Sequence, residues 1–350
     1  MTTSFPIKKV LITGGCGFIG SNLVRFLRKH RPDWTLVNLD ALTYSGNPEN
    51  LADLKDDAKY QFVHGSINDA ALLEKLVKDV DAVMHLAAES HVDRSIMDPR
   101  PFIETNVLGT QTLLEAVRRE EKASGKKRRF LHVSTDEVYG SLPLENPELL
   151  FTEETPIQSN SPYASSKAAS DLIARAYHHT FGMDVMITRC SNNFGPYQFP
   201  EKVIPLFVTN LMEGKKLPLY GDGKNVRDWL HVEDHCEALT IVLERGRSGE
   251  VYNIGGNNER SNLELTHSIL QAMGKGPDMI QPVADRLGHD RRYAIDASKI
   301  KNELGWEPTR SKWPDALAST VKWYVDNTQW VERVKSGAYR EYYEKMYGNR

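Results

Sequence analysis

This sequence predicts an α/β fold: a Rossmann-type doubly wound parallel sheet with a smaller mixed α/β C-terminal lobe for substrate binding. Three observations point there. Short apolar runs alternate with amphipathic segments as far as about residue 190. A glycine-rich turn joins the first apolar run to the first amphipathic one. Beyond Cys190 the chain becomes rich in Pro and Gly, as at Gly195-Pro196 and Gly221-Asp222-Gly223, and its elements shorten.

Lys8 to Thr13 reads as a buried strand. Gly17 to His30 follows as a helix, because Ile19, Leu23, Val24 and Leu27 recur on one face. Trp34–Asp40 and Tyr60–His64 are the next strands, then a helix over 69–78 and a strand over 81–87. A long helix is expected over Phe102–Glu121, a strand over Arg129–Ser134, a second long helix over Tyr163–Phe181 and a strand over 184–189. Apolar strands separated by helices describe a parallel sheet covered on both faces. Ligands of such sheets bind beyond the carboxyl ends of the strands. In the second half, helices are expected near 205–213, over 233–244 and from Ser261, where Ser261-Asn262-Leu263-Glu264 has capping-box spacing. The expected division is 1–190 for a dinucleotide domain, with segments of about 225–260 returning to it, and 191–350 for the second lobe.

Composition narrows the function classes. With 350 residues, 40% hydrophobic and 26% charged, the chain has the makeup of a soluble globular protein. A net charge of −3 argues against nucleic acid as a partner. No apolar run approaches the roughly 20 residues that span a bilayer, and the N-terminus lacks the pattern of a signal peptide. Cys16, Cys190 and Cys236 lack metal-ligand spacing and read as reduced thiols of a cytoplasmic protein. His85, His91, His178 and His179 also lack ligand spacing, so no metal is expected.

Gly14, Gly17 and Gly20 have the spacing of a dinucleotide fingerprint at the end of a strand and the start of a helix. The first permits the tight turn, the second lets pyrophosphate approach backbone, and the third lets helix pack on strand. The helix N-terminus then faces the phosphates. Asp40 ends the next strand, where a ribose-hydroxyl acceptor belongs. A carboxylate there repels a 2′-phosphate, so NAD is expected rather than NADP.

The chemistry is concentrated in two further stretches. Tyr163 and Lys167 stand at i and i+4 on a helix, hence on one face. A Tyr with pKa of about 10 is a poor base at neutral pH. A neighbouring ammonium and the nicotinamide charge would both favour its phenolate. Upstream, Ser134-Thr135-Asp136-Glu137 sets two carboxyls side by side where a core strand ends. Hydride transfer needs the Tyr, the Lys and the cofactor. A paired acid and base add proton transfers at a second carbon, as an elimination of water requires.

The sequence resembles the extended short-chain dehydrogenases/reductases and, within them, the dTDP-glucose 4,6-dehydratases. The resemblance rests on GGCGFIGS (Gly14–Ser21), LTYSGN (Leu42–Asn47), LAAESHVDRSI (Leu86–Ile96) and STDEVYG (Ser134–Gly140). It extends through Tyr163–Lys167, RCSNNFGPYQFPEKVIP (Arg189–Pro205), Gly221–Leu230 and HDRRYAID (His289–Asp296). It thus covers nearly the whole chain. His64-Gly65-Ser66-Ile67 departs from the family's usual Gly-Asp-Ile, placing Ser66 where an Asp normally bonds adenine, and Leu287 replaces a usual Pro.

The resemblance implies a redox-neutral lyase with NAD as cofactor. Tyr163, assisted by Lys167, takes the proton of the sugar 4-hydroxyl, and Thr135 bonds that oxygen. Glu137 removes the C5 proton and Asp136 protonates the leaving 6-hydroxyl, giving the nucleotide-4-keto-6-deoxyglucose and water. For the cofactor it implies contacts from Gly14, Gly17, Phe18, Ile19 and Gly20, from Asp40 and Thr43, and from Ser66 and Ile67. Leu86, Ala87, Ala88, Ser90, Thr105 and Asn193 complete that set, with Tyr163 and Lys167. For the nucleotide sugar it implies Asn192 and Arg227 at the diphosphate, with Arg292 nearby. Glu201, Lys202 and Val203 are implied at the sugar, Pro218 and Tyr220 at the base, and Asn262 and Tyr293 along the cleft, beside Ser90 and Thr135. It also implies a homodimer packed through the helices 102–121 and 163–181.

Other readings stay open at this stage. A UDP-glucose 4,6-dehydratase takes uracil in place of thymine, bases that differ by one methyl worth about 1 kcal/mol in a pocket. UDP-sugar 4-epimerases and decarboxylases share the Tyr, the Lys and the fingerprint, but need no elimination pair. A catalytically silent NAD-sensing protein would have no use for four intact catalytic groups.

Overall fold

A computed structural model describes residues 5–285 and 287–336. Arg286 and the last stretch of the expected second lobe, 337–350, lie outside the described residues. The strands are β1 (Lys9–Thr13), β2 (Thr35–Asp40), β3 (Tyr60–His64), β4 (Ala82–His85), β5 (Arg129–Thr135) and β6 (Asp184–Cys190). Short strands follow: β7 (Asn192–Phe194), β8 (Leu217–Tyr220), β9 (Val226–His231), β10 (Val251–Ile254), β11 (Glu259–Ser261) and β12 (Ile280–Val283). The helices are α1 (Phe18–His30), α2 (Ala70–Leu76), α3 (Val92–Met97), α4 (Arg100–Phe102), α5 (Thr110–Ser124) and α6 (Pro162–Phe181). Then come α7 (Val203–Met212), α8 (Val232–Arg245), α9 (Asn262–Ala272), α10 (Ser298–Leu304), α11 (Asp315–Asp326) and α12 (Thr328–Val334).

Seven strands form one sheet in the order β10-β6-β5-β4-β1-β2-β3, every neighbour parallel. The order reverses at β1, which pairs with both β2 and β4, so a crevice opens there at the strands' carboxyl ends. β5 is buried along its whole length, and β1 from its second residue on, because helices cover both faces. One face packs Leu23, Val24 and Leu27 of α1 with Leu239, Val242 and Leu243 of α8. The other packs Leu73 of α2, Leu113, Leu114 and Val117 of α5, and Ala174 of α6. Each such side chain contributes roughly 1.5–3 kcal/mol on leaving water.

Of the stretch 225–260, β10 joins the edge of this sheet and α8 covers it. β9 instead pairs with β11 on one side and β7 on the other in a separate three-stranded sheet. A third core, with Phe194, Phe207, Leu265 and Leu317, supports this second lobe. The capping box forms as spaced: Ser261 Oγ accepts from Glu264 N, and Glu264 returns a bond to Ser261 N at 2.7 Å.

Two elements differ from the sequence reading. β4 ends at His85 rather than Ala87, because the Leu86 and Ala87 amides turn to the Thr13 backbone and hydroxyl oxygens. The expected helix over 102–121 begins earlier and contains a π-helical stretch, Ile103–Gly109. The wide turn carries Asn106 inward, where its amide bonds Glu89 N, Glu89 O and Ser166 Oγ at 2.8–2.9 Å. Hydrophobic periodicity does not report such tertiary pinning. Among the described residues, no helix is long and apolar enough to cross a membrane.

Candidate active site

The glycine turn forms the floor of the crevice. Gly14 has φ +75°, and a Cβ there would lie 2.8 Å from the Ala87 backbone. A Cβ on Gly20 would stand 2.1 Å from Gly14 O, so both positions require glycine. Gly17 differs, since a Cβ there would meet only Gly14 O, at 3.4 Å. The space beside Gly17 is open, as a turn reserved for a ligand should be. No side chain caps α1, which leaves its first amides to an anion. Asp40 closes the end of β2, its oxygens accepting Cys16 N and Leu42 N at 2.8 Å each. This donor set fits a dinucleotide: amides for phosphate and a carboxylate for a ribose.

A cavity runs from this turn to the end of β5. Gly14, Gly17, Phe18, Ile19 and Gly20 line it, with Asp40 and Thr43 at one end. Ser66, Ile67, Leu86, Ala87 and Ala88 line its wall, as do Ser90, Thr105 and Asn193. Ser66 Oγ already accepts from Asn68 N at 3.1 Å, so it stabilises its own turn. Tyr163, Lys167, Thr135, Asp136 and Glu137 close the far end.

Those five residues come from two elements. Thr135 ends β5 and caps a short 3₁₀ turn, Asp136–Tyr139, its Oγ1 accepting Glu137 N at 3.3 Å. Tyr163 and Lys167 lie on α6, which Ser161 caps and Pro162 starts. Asp136 is 1% exposed, and its Oδ2 has no hydrogen-bond partner among the described residues. Burial holds its proton well above the usual carboxyl range, with the neighbouring Glu137 and Asp228 charges adding to the effect. A buried carboxyl kept neutral is a proton donor in waiting.

Tyr163 is likewise pushed up by burial, and Glu137, Cys190 and Asp136 push the same way. Its hydrogen bond with Thr135 lowers it. Lys167 donates to Val133 O at 2.9 Å, and burial lowers its pKa to about 8. Positive charge close to the phenol, from an ammonium or a bound nicotinamide, favours the phenolate.

A second cavity adjoins the first and shares Glu137, Asn192, Asn193, Gln198, Glu201 and Lys202 with it. Val203, Pro218, Tyr220, Arg227, Asn262 and Tyr293 line its remainder. Asn192 Oδ1 is buried with no hydrogen-bond partner among the described residues. The Arg227 guanidinium stacks 4.2 Å from the Tyr293 ring centre. Arg292 lines neither cavity, against expectation. Its guanidinium is 2.9 Å from Glu259 and bonds the carbonyls of Pro147 and Leu149, so it ties two loops together.

Sequence reasoning did not single out several lining residues. His289 faces the second cavity, paired with Asp285 at 2.6 Å and edge-on to Tyr220. It opens a motif noted above, but nothing in its spacing marks it. His235 is buried on α8 and bonds Asn193 Oδ1 at 2.9 Å, orienting that amide at the junction of the cavities. His85, expected not to bind metal, spends both ring nitrogens on Thr13 and Thr110. The three cysteines are buried and unpaired.

Comparison with known proteins is consistent with this geometry. The family model described as GDP-mannose 4,6 dehydratase matches residues 11–312. A dTDP-glucose 4,6-dehydratase of Salmonella typhimurium is 50% identical, covering 98% of this chain and 99% of that protein. One from Xanthomonas campestris pv. campestris is 54% identical, covering 94% and 97%. The crystal structure of DesIV, a dTDP-glucose 4,6-dehydratase from Streptomyces venezuelae with NAD and TYD bound, superposes with a TM-score of 0.89. It is 52% identical and covers 93% of this chain and 100% of its own. A Thermus thermophilus UDP-glucose 4-epimerase with NAD is more distant, at 29% identity and TM-score 0.81, covering 91% and 99%.

Proposed function

The chain belongs to the dTDP-glucose 4,6-dehydratase family, and we propose from that membership and its site that it is an NAD-dependent hydro-lyase converting dTDP-glucose to dTDP-4-keto-6-deoxyglucose and water. The observation that carries the reading is Asp136-Glu137 at the junction of the two cavities, one carboxyl buried with its pKa raised, beside Tyr163 and Thr135. An epimerase has no use for such a pair.

When bound, NAD supplies oxidation at C4 and reduction at C6, with no net change. The chain's own residues move the protons. Tyr163 accepts the 4-hydroxyl proton while Thr135 holds that oxygen, and Lys167 braces the end of β5 through Val133 O. Oxidation at C4 acidifies C5. Glu137, facing both cavities, takes the C5 proton, Asp136 gives its own to the departing 6-hydroxyl, and Glu137 returns its proton to C5 as C6 is reduced, while the proton taken by Tyr163 makes good the one Asp136 lost. Gly14, Gly17 and Asp40 hold the dinucleotide, while Asn192 and Arg227 hold the diphosphate. Glu201 and Lys202 meet the sugar, and Tyr220 stacks on the base. In this reading 1–190 forms most of the cofactor domain and 191–350 most of the substrate lobe. Reduced buried thiols and a phosphorylated substrate suit a cytoplasmic enzyme, which cell fractionation tests.

The test is mass spectrometry of dTDP-glucose, UDP-glucose and GDP-mannose after separate incubation with enzyme and no added NAD. Loss of one water from dTDP-glucose alone is expected. Loss from UDP-glucose instead would reassign the nucleotide, and no loss from any would sink the proposal.

We also propose a homodimer through the π-helical stretch and α6. Ile103, Leu108, Leu172 and Phe181 are 48%, 53%, 55% and 47% exposed there, an apolar face a partner helix pair would cover. Light scattering behind gel filtration should give twice 39.6 kDa, and Leu172→Glu should give the monomer. A native monomer sinks the dimer.

A further inference from the structure

Two loops from different lobes flank the cofactor cavity. Thr43, Ser45 and Gly46, from the loop after β2, line one side, while Phe199, Glu201 and Lys202, ahead of α7, line the other. Arg94, on α3, reaches both. Its guanidinium carbon lies 3.9 Å from the ring centre of Tyr44, in the first loop. Its Nε is 3.2 Å from Glu201 Oε2, in the second, on a carboxylate side chain only 1% exposed. Tyr44 also meets Phe199 edge-on, ring centres 5.9 Å apart. Beside this contact Lys202 Nζ donates to Ser90 O at 2.9 Å, a second tie across the same gap. Only a planar cation can lay its face on a ring and its edge on a carboxylate at once.

We infer that Arg94 is a positioning residue that clasps the Tyr44 loop to the Glu201 segment over the bound dinucleotide and thereby slows its escape. The inference rests on the dehydratase reading for its purpose, because a reaction that begins and ends with the same oxidised cofactor gains from retaining it. The geometry of the clasp is independent of the sugar. Arg94 itself lines neither the glycine turn nor the carboxyl pair, so its loss leaves the proton-transfer groups in place.

The test uses the full-length protein loaded with isotopically heavy NAD and chased with excess ordinary NAD. Label still bound is read by mass spectrometry after gel filtration. Arg94→Ala should exchange roughly 10- to 100-fold faster than the native protein, since a partly desolvated stack and an ion pair are both lost. Arg94→Lys, which keeps the charge but not the flat face, should fall between. Turnover of Arg94→Ala should become dependent on added NAD and recover when it is supplied. Tyr44→Leu removes the other half of the clasp, should also exchange faster, and decides the matter if Arg94→Ala does not fold. Exchange at the native rate in Arg94→Ala, or in Tyr44→Leu where that variant decides, overturns the clasp. So does a fall in turnover that added NAD does not relieve. A native protein that leaves dTDP-glucose intact sinks the dehydratase reading, and the exchange ratio still decides the clasp.

Discussion

Glu137→Gln should oxidise its substrate and then stop. The amide occupies the same place between the cavities but cannot take a proton from C5. Loss of a positioned general base costs about 10²–10⁴ in rate, so the expected result is no detectable water loss by mass spectrometry over the native time course. The absorbance of reduced nicotinamide should persist after substrate is added, because the first half-reaction needs Tyr163 and not Glu137. Water loss at the native rate would remove Glu137 from the chemistry. Failure to reduce the cofactor at all would mean that Glu137 also shapes the first step.

Tyr163→Phe should block the reaction one stage earlier, by a comparable 10²–10⁴ or so, with no reduced nicotinamide formed. The ring keeps its packing against Phe102, so binding of dTDP-glucose, measured by calorimetry, should change little. Reduction at an undiminished rate would exclude Tyr163 as the base. The pH profile of the native enzyme gives a companion check. Lys167 carries its charge below about pH 8 and loses it above. Asp136, with its pKa raised, holds its transferable proton to higher pH than an exposed carboxyl does and yields it as pH climbs. Loss of the Lys167 charge weakens its brace on Val133 O, and loss of the Asp136 proton removes the general acid, so dehydration should decline above about pH 8. A profile that keeps rising beyond that point would contradict these roles.

The glycine turn, Asp40 and the Tyr163–Lys167 pair were legible because each depends on spacing along one or two consecutive elements. A glycine required by close backbone approach, or two side chains one helical turn apart, is written locally. The partners of Arg292 were not legible, for the opposite reason. An arginine beside a phosphate-binding segment has the right chemistry, but its direction is set by Glu259 and the 146–149 carbonyls, far away in the chain. The π-helical stretch at Ile103–Gly109 escaped periodicity in the same way, being held by Asn106 against Glu89 and Ser166.

By itself, then, the sequence determined the doubly wound sheet, the dinucleotide turn and the identity of the paired carboxyls, since all of these follow from patterns within short windows. Only the tertiary structure decided which carboxyl is buried with its pKa raised, that Lys167 donates to Val133 O, that His235 orients Asn193, and that Arg94 joins Tyr44 to Glu201. Proton affinity and long-range pairing depend on what the fold brings from distant segments and how far it excludes water, and neither quantity is present in the order of the residues.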